Sequence, residues 1–223
     1  MEFKRLTLLC GHYGSGKTNV ALNLAYRLKE ERDRVAIADL DIVNPYFRTK
    51  DSDSELKEKG IELIVSEYAG SNVDIPALPQ QMYSLTDDKK LSAVIDVGGD
   101  DRGALALGRL ADAIKEEENY EMVLVINCFR PLTPDAESTI EVMREIETAS
   151  KIPFTAIINN SNLGKETTAK DVLASLKYAD EVSRLSGLPL LMTTVSEKIY
   201  NELEGKVDNL LALKLQENIN DFT

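Results

Sequence analysis

Gly11-His12-Tyr13-Gly14-Ser15-Gly16-Lys17-Thr18 is the stretch on which the reading of this chain turns. It follows an apolar run, Leu6-Thr7-Leu8-Leu9-Cys10, and precedes a segment with Val20, Leu24 and Leu28 at helical spacing. A G-x-x-x-x-G-K-T pattern between a strand and a helix is a cradle for phosphate. Its glycines let the backbone wrap so that successive N–H groups aim at one anion, and the positive end of the following helix adds to the attraction. Lys17 reaches the β- and γ-phosphates, and the Thr18 hydroxyl binds Mg²⁺. The expected contact set is Gly11, Tyr13, Gly14, Ser15, Gly16, Lys17, Thr18 and Asn19.

Phosphate binding alone is not phosphate chemistry, which also needs a metal anchor and a group that places the nucleophile. Leu91-Ser92-Ala93-Val94-Ile95-Asp96 is an apolar strand ending in a carboxylate, followed by Val97-Gly98-Gly99. Asp96 is expected near the metal, with the Gly99 N–H at the γ-phosphate. A second strand ends Ala38-Asp39-Leu40-Asp41, and alternation sends Asp39 and Asp41 to one side. Two carboxylates on one side of a cleft repel unless a cation lies between them. Asp39 is therefore assigned to the metal's outer shell and Asp41 to the attacking water, with Lys17 and Asp41 as the catalytic pair.

Together, Gly14-Ser15-Gly16-Lys17-Thr18, Asp39-Leu40-Asp41 and Asp96-Val97-Gly98-Gly99 resemble the MinD/ParA/CobQ-like, SIMIBI-class P-loop ATPases. The resemblance implies a P-loop NTPase fold: an α/β protein with a seven-stranded, mainly parallel sheet and helices on both faces. It places the strand carrying Asp96 next to the phosphate-loop strand. It also implies ATP and Mg²⁺ as ligands, nucleotide-dependent homodimerisation, and slow hydrolysis that switches a protein partner. The family usually has a lysine early in the phosphate loop that reaches the other subunit's nucleotide; His12 stands there instead, with Arg48 and Arg102 as substitute donors. After a further strand, Phe154 to Asn159, the chain reads Asn159-Asn160-Ser161-Asn162 where GTPases carry N-K-x-D. No carboxylate is present to read guanine, so ATP is favoured, with Asn159 and Asn160 at the adenine edge and Thr193 and Thr194 nearby. The main rival is a small-molecule kinase on the same scaffold, its acceptor pocket formed by residues 44–48 and 67–90.

Composition narrows the partners. The 223-residue chain carries a formal net charge of −12, against the clustered Lys and Arg that nucleic acid and anionic membranes reward. Its patterning is unbroken, so residues 1–223 are read as one nucleotide-binding domain. No signal peptide or membrane-length apolar run is present, and a cytoplasmic location is expected. Cys10 and Cys128 are the only cysteines. They are read as two buried reduced thiols, without the spacing of an iron–sulfur site.

Seven strands are expected, at residues 4–10, 34–39, 61–66, 91–96, 121–127, 153–159 and 188–193, alternating with amphipathic runs. Val172, Leu176, Ala179 and Val182 share a helix face closed by Gly187. Thr133-Pro134-Asp135 reads as a cap with proline in the first helical turn. Ile199, Leu203, Val207 and Leu210 suggest a final docking helix.

Overall fold

The computed structural model describes residues 3–40, 50–65, 80–99 and 101–215. Asp41, residues 44–49 with Arg48, residues 67–79 and the side chain of Arg102 lie outside that description. In chain order the elements are β1 (Leu6–Cys10), α1 (Lys17–Glu31), β2 (Val35–Leu40), α2 (Lys50–Glu58), β3 (Glu62–Val65) and α3 (Gln80–Asp87). Then follow β4 (Ser92–Val97), α4 (Asp101–Leu107), α5 (Ala111–Glu117), β5 (Tyr120–Ile126) and α6 (Ala136–Ser150). The chain ends with β6 (Ala156–Asn159), α7 (Ala169–Ser186), β7 (Leu190–Ser196), α8 (Glu197–Leu203) and β8 (Leu210–Leu213).

The strands form one sheet in the order β3-β2-β4-β1-β5-β6-β7-β8, and every neighbouring pair is parallel. From β1 the chain winds outward to β3, returns through β4, then crosses to β5 and runs out to β8. The direction of winding reverses beside β1, where open parallel sheets form a crevice beyond their carboxyl ends. The strand carrying Asp96 adjoins β1, as the family resemblance implied.

Side-chain alternation divides the core into two layers. Leu6, Leu8, Ile95, Met122, Leu124 and Ile126 join residues of α3 to α7 on one face. Leu9, Ile37, Val94, Val123, Val125 and Ile158 pack against Val20, Leu24 and Leu28 of α1 on the other. Most strand positions are buried on both faces, which is why they read as continuous apolar runs. No helix among the described residues is long and apolar enough to cross a membrane.

Three expectations need correction here. The sheet has eight described strands, not seven, because the tail does not remain helical. Gly205 at φ 73° and Asn209 at φ 50° turn the chain, and Leu210–Leu213 then pairs with β7. Ile199, Leu203, Val207 and Leu210 do pack together, but from a short helix, a turn and a strand. Pro134 precedes α6 instead of opening it: Asp135 is the N-cap, its side chain accepting from the Ser138 N–H. Finally, only Cys10 is buried; Cys128 is half-exposed beyond the end of β5.

Candidate functional site

Residues at or beyond the carboxyl ends of β2, β4, β5, β6 and β7 meet around the loop that joins β1 to α1. Gly16 is the N-cap of α1, so the first free N–H groups of that helix belong to the loop. Lys17 is 7% exposed, and its Nζ donates to the carbonyls of Gly11 (3.0 Å) and His12 (3.3 Å). The ammonium is thereby folded back inside the loop's curve. The Ser15 N–H donates across the same curve to the His12 carbonyl at 3.1 Å.

Sheet register brings the acids together. Asp39 of β2 and Asp96 of β4 are paired positions on adjacent parallel strands, so their carboxylates leave the sheet side by side, on the face α1 covers. Both are almost fully buried, at 3% and 2% exposure. The Thr18 hydroxyl, one residue into α1, donates to Asp96 Oδ2 at 2.6 Å. This is a set of hard oxygen donors on one side of the phosphate loop. Among the described residues no group of three or more His, Cys, Asp or Glu is arranged to hold a metal alone. The arrangement suits Mg²⁺, which is commonly held through one or two carboxylates, water and the ligand's own phosphates. A divalent cation there would also relieve the repulsion between the two buried carboxylates.

Gly99 lies directly against the loop: a Cβ there would come within 2.5 Å of the Tyr13 backbone nitrogen. The segment after β4 and the tip of the phosphate loop are thus in backbone contact. The Tyr13 side chain is turned outward, 61% exposed. His12 Nδ1 is 2.9 Å from the Tyr13 carbonyl, which only accepts, so this nitrogen carries the proton. Asn19 follows Thr18 on the first turn of α1.

The asparagines after β6 face inward. Asn159 is fully buried; its amide donates to Ser175 Oγ at 3.0 Å and its oxygen accepts from the Ser161 N–H. Asn160 donates to the Ser15 carbonyl at 2.7 Å and accepts from Thr194 Oγ1 at 2.6 Å. Asn162 bridges the Asn160 carbonyl and the Gly164 N–H. These contacts bind the β6 and β7 exits to the phosphate loop, and Thr194 reaches it only through Asn160.

Sequence reasoning did not find Arg130. It stands four residues beyond β5, and its Nε donates to the Gly14 carbonyl at 2.7 Å. Phe129-Arg130-Pro131 carries no periodicity or motif, and only the pairing of β5 with β1 puts it beside the loop. Beneath the loop, burial pushes the Cys10 thiol up to about 12; the Lys17 charge pulls it down and the Asp96 charge pushes it up. It is therefore a protonated, inert core group at neutral pH.

A family model described as the CobQ/CobB/MinD/ParA nucleotide binding domain matches residues 11–187. No curated protein matches the chain. Among solved structures, chloroplast FtsY from Physcomitrella patens superposes with a TM-score of 0.58 at 19% identity, covering 88% of this chain and 60% of that one. Signal recognition particle receptor FtsY from Elizabethkingia anophelis, in complex with GDP, gives 0.54 at 16% identity, covering 88% and 58%. FlhF complexed with GTP and Mg²⁺ gives 0.55 at 16% identity, covering 89% and 68%. At such identities the likeness is one of fold. The chain spans about 60% of the length of the two FtsY structures.

Proposed function

Because the chain belongs to the CobQ/CobB/MinD/ParA nucleotide-binding domain family, we propose that it is an Mg²⁺-dependent ATPase that acts as a switch on a protein partner. The observation that carries this reading is the 2.6 Å bond from the Thr18 hydroxyl to Asp96, with Asp39 in register beside it. It sets a hydroxyl and two carboxylates beside the phosphate loop, oxygen donors of the kind that phosphoryl chemistry uses to hold its metal. Mg²⁺ would neutralise charge on the β- and γ-phosphates, held by Thr18 and Asp96 with Asp39 in its outer shell.

The chain's own groups do the rest. The amides of Gly14 to Thr18 cradle the phosphates, Lys17 swings from the loop carbonyls onto them, and the Gly99 N–H takes a γ-oxygen. Asp41, two residues beyond Asp39, orients the water for in-line attack. Catalysis is then positioning and charge stabilisation. ATP over GTP is supported by the run from Asn159 to Gly164, which holds no carboxylate to accept guanine's N–H groups. We read residues 1–223 as a single nucleotide-binding domain, and the acidic charge favours a protein partner over nucleic acid or membrane.

The test is nucleotide binding and phosphate release, with and without Mg²⁺, for the wild type and two variants. Lys17→Ala should lose both; Asp41→Ala should keep ATP affinity and lose turnover. Equal turnover in Asp41→Ala removes that residue from the mechanism. Binding of GTP at least as tight as ATP overturns the base assignment. Product that forms only with a metabolite acceptor makes the protein a kinase.

A further inference from the structure

Two consecutive carbonyls of the phosphate loop are gripped from outside by side chains of other strand exits. Arg130 holds Gly14 O at 2.7 Å, and Asn160 holds Ser15 O at 2.7 Å. In a trans peptide the C=O and the next N–H point in opposite directions. Drawing these carbonyls outward therefore turns the N–H groups of Ser15 and Gly16 toward the loop's concave side. The Ser15 N–H does point across it, to the His12 carbonyl.

Arg130 is held in place by its own turn. Asn127, fully buried, accepts from the Phe129 N–H, and its carbonyl accepts from Thr133 Oγ1 at 2.9 Å. The Asn127 amide also exchanges hydrogen bonds with the Asn162 backbone. The Arg130 side chain lies against Gly14, where a Cβ would come 3.2 Å from Nε and 3.5 Å from Cζ. Gly14 itself has φ 77°, a conformation glycine alone adopts readily. The terminal nitrogens of Arg130 donate to no protein acceptor among the described residues. A second cation is thus braced at the rim of a cradle whose inner cation is Lys17.

We propose that Arg130 is the positioning residue of the phosphate loop: through Nε it presets the Gly14–Ser15 peptide for anion binding, and its remaining charge adds to the attraction for a nucleotide's phosphates. The proposal rests on the nucleotide-binding reading and adds a residue that no motif contains. It predicts that affinity tracks phosphate number, since the cation acts on the phosphate tail and not on the base.

The experiment compares wild type, Arg130→Gln, Arg130→Lys and Lys17→Ala by calorimetric titration with ATP, ADP and AMP at two salt concentrations. Hydrogen exchange of the ligand-free protein is followed over residues 11–18. Arg130→Gln should weaken ATP and ADP binding by about tenfold or more, as expected for a lost charge-assisted contact. AMP should be affected least, the salt dependence should flatten, and exchange at the loop amides should quicken while global protection stays unchanged. Arg130→Lys should recover part of the affinity, through charge without the fixed fork. If Arg130→Gln binds ATP and ADP like wild type with unchanged loop exchange, the proposal is wrong while the nucleotide reading stands. Global loss of protection in both Arg130 variants would make the residue a fold element and also overturn it. Wild type that binds none of the three nucleotides, like Lys17→Ala, would overturn the underlying reading together with the proposal.

Discussion

Gly99 shows how narrowly one residue can be specified. Its α-carbon faces the His12–Tyr13 backbone, so an added methyl meets main chain there instead of a side chain that could yield. Gly99→Ala should push the β4 exit away from the phosphate loop. We expect nucleotide affinity to fall by roughly tenfold or more, with stability lowered by about 1–3 kcal/mol, the range for overpacking. Titration calorimetry alongside urea unfolding would separate the two; unchanged affinity would mean that the contact is incidental. The sequence drew attention to Gly99 through Asp96-Val97-Gly98-Gly99, but its packing on Tyr13 was not legible there. From the sequence, Asn160 is expected at the adenine edge; in the fold its amide donates to the Ser15 carbonyl and its oxygen accepts from Thr194.

Among the elements, α7 illustrates a helix whose ends are written locally. Thr168 caps it, accepting from the Asp171 N–H, while the Asp171 side chain accepts from the Thr168 N–H. Gly187 at φ 73° closes it, with its N–H on the Ser183 carbonyl. Thr168→Ala should destabilise the protein by about 1 kcal/mol in urea unfolding without altering nucleotide affinity. A larger loss, or an altered affinity, would mean that the cap also holds the β6 exit. The helix face was legible because Val172, Ala179 and Val182 recur at helical spacing. The tail misled for the same reason: Ile199, Leu203, Val207 and Leu210 keep that spacing while Gly205 and Asn209 break the helix. Four strand residues, Leu210 to Leu213, are too few for alternation to declare itself. Lys214 then exchanges hydrogen bonds with the Asn23 amide on α1, a contact 191 residues apart in sequence.

Across the whole molecule, the end of the sheet opposite the phosphate loop is closed by a charged knot. Arg5, 5% exposed, donates through Nη1 to the carbonyls of Leu85, Asp88 and Leu91 and pairs through Nε with Glu117. Lys89 pairs with the same carboxylate. The Arg5 bond, foremost, holds the Glu117 carboxyl below its ordinary value of 4.5, with Lys89 assisting against burial. A depressed carboxyl stabilises the fold fully above its unfolded value, and that contribution is lost as pH falls through the folded one. Glu117→Gln should therefore cost on the order of 2 kcal/mol at neutral pH. The gap to wild type should close as pH drops below the usual glutamate range. Urea midpoints measured from neutral to acid pH check this; a pH-independent gap would assign the loss to packing. Composition foreshadowed nothing of this knot, since Arg5 and Glu117 are ordinary surface residue types until the sheet sets them together.

By itself the sequence determined the cradle, the strand-end acids and the layered α/β plan. These follow from contiguous residues acting through backbone geometry and burial of apolar runs. Only the tertiary structure decided what adjoins the cradle: Asp39 in register with Asp96, Arg130 on Gly14, Asn160 on Ser15, and Leu210–Leu213 as an eighth strand. Each of these depends on strand order, and strand order is settled by how whole faces pack, which no local run of side chains encodes.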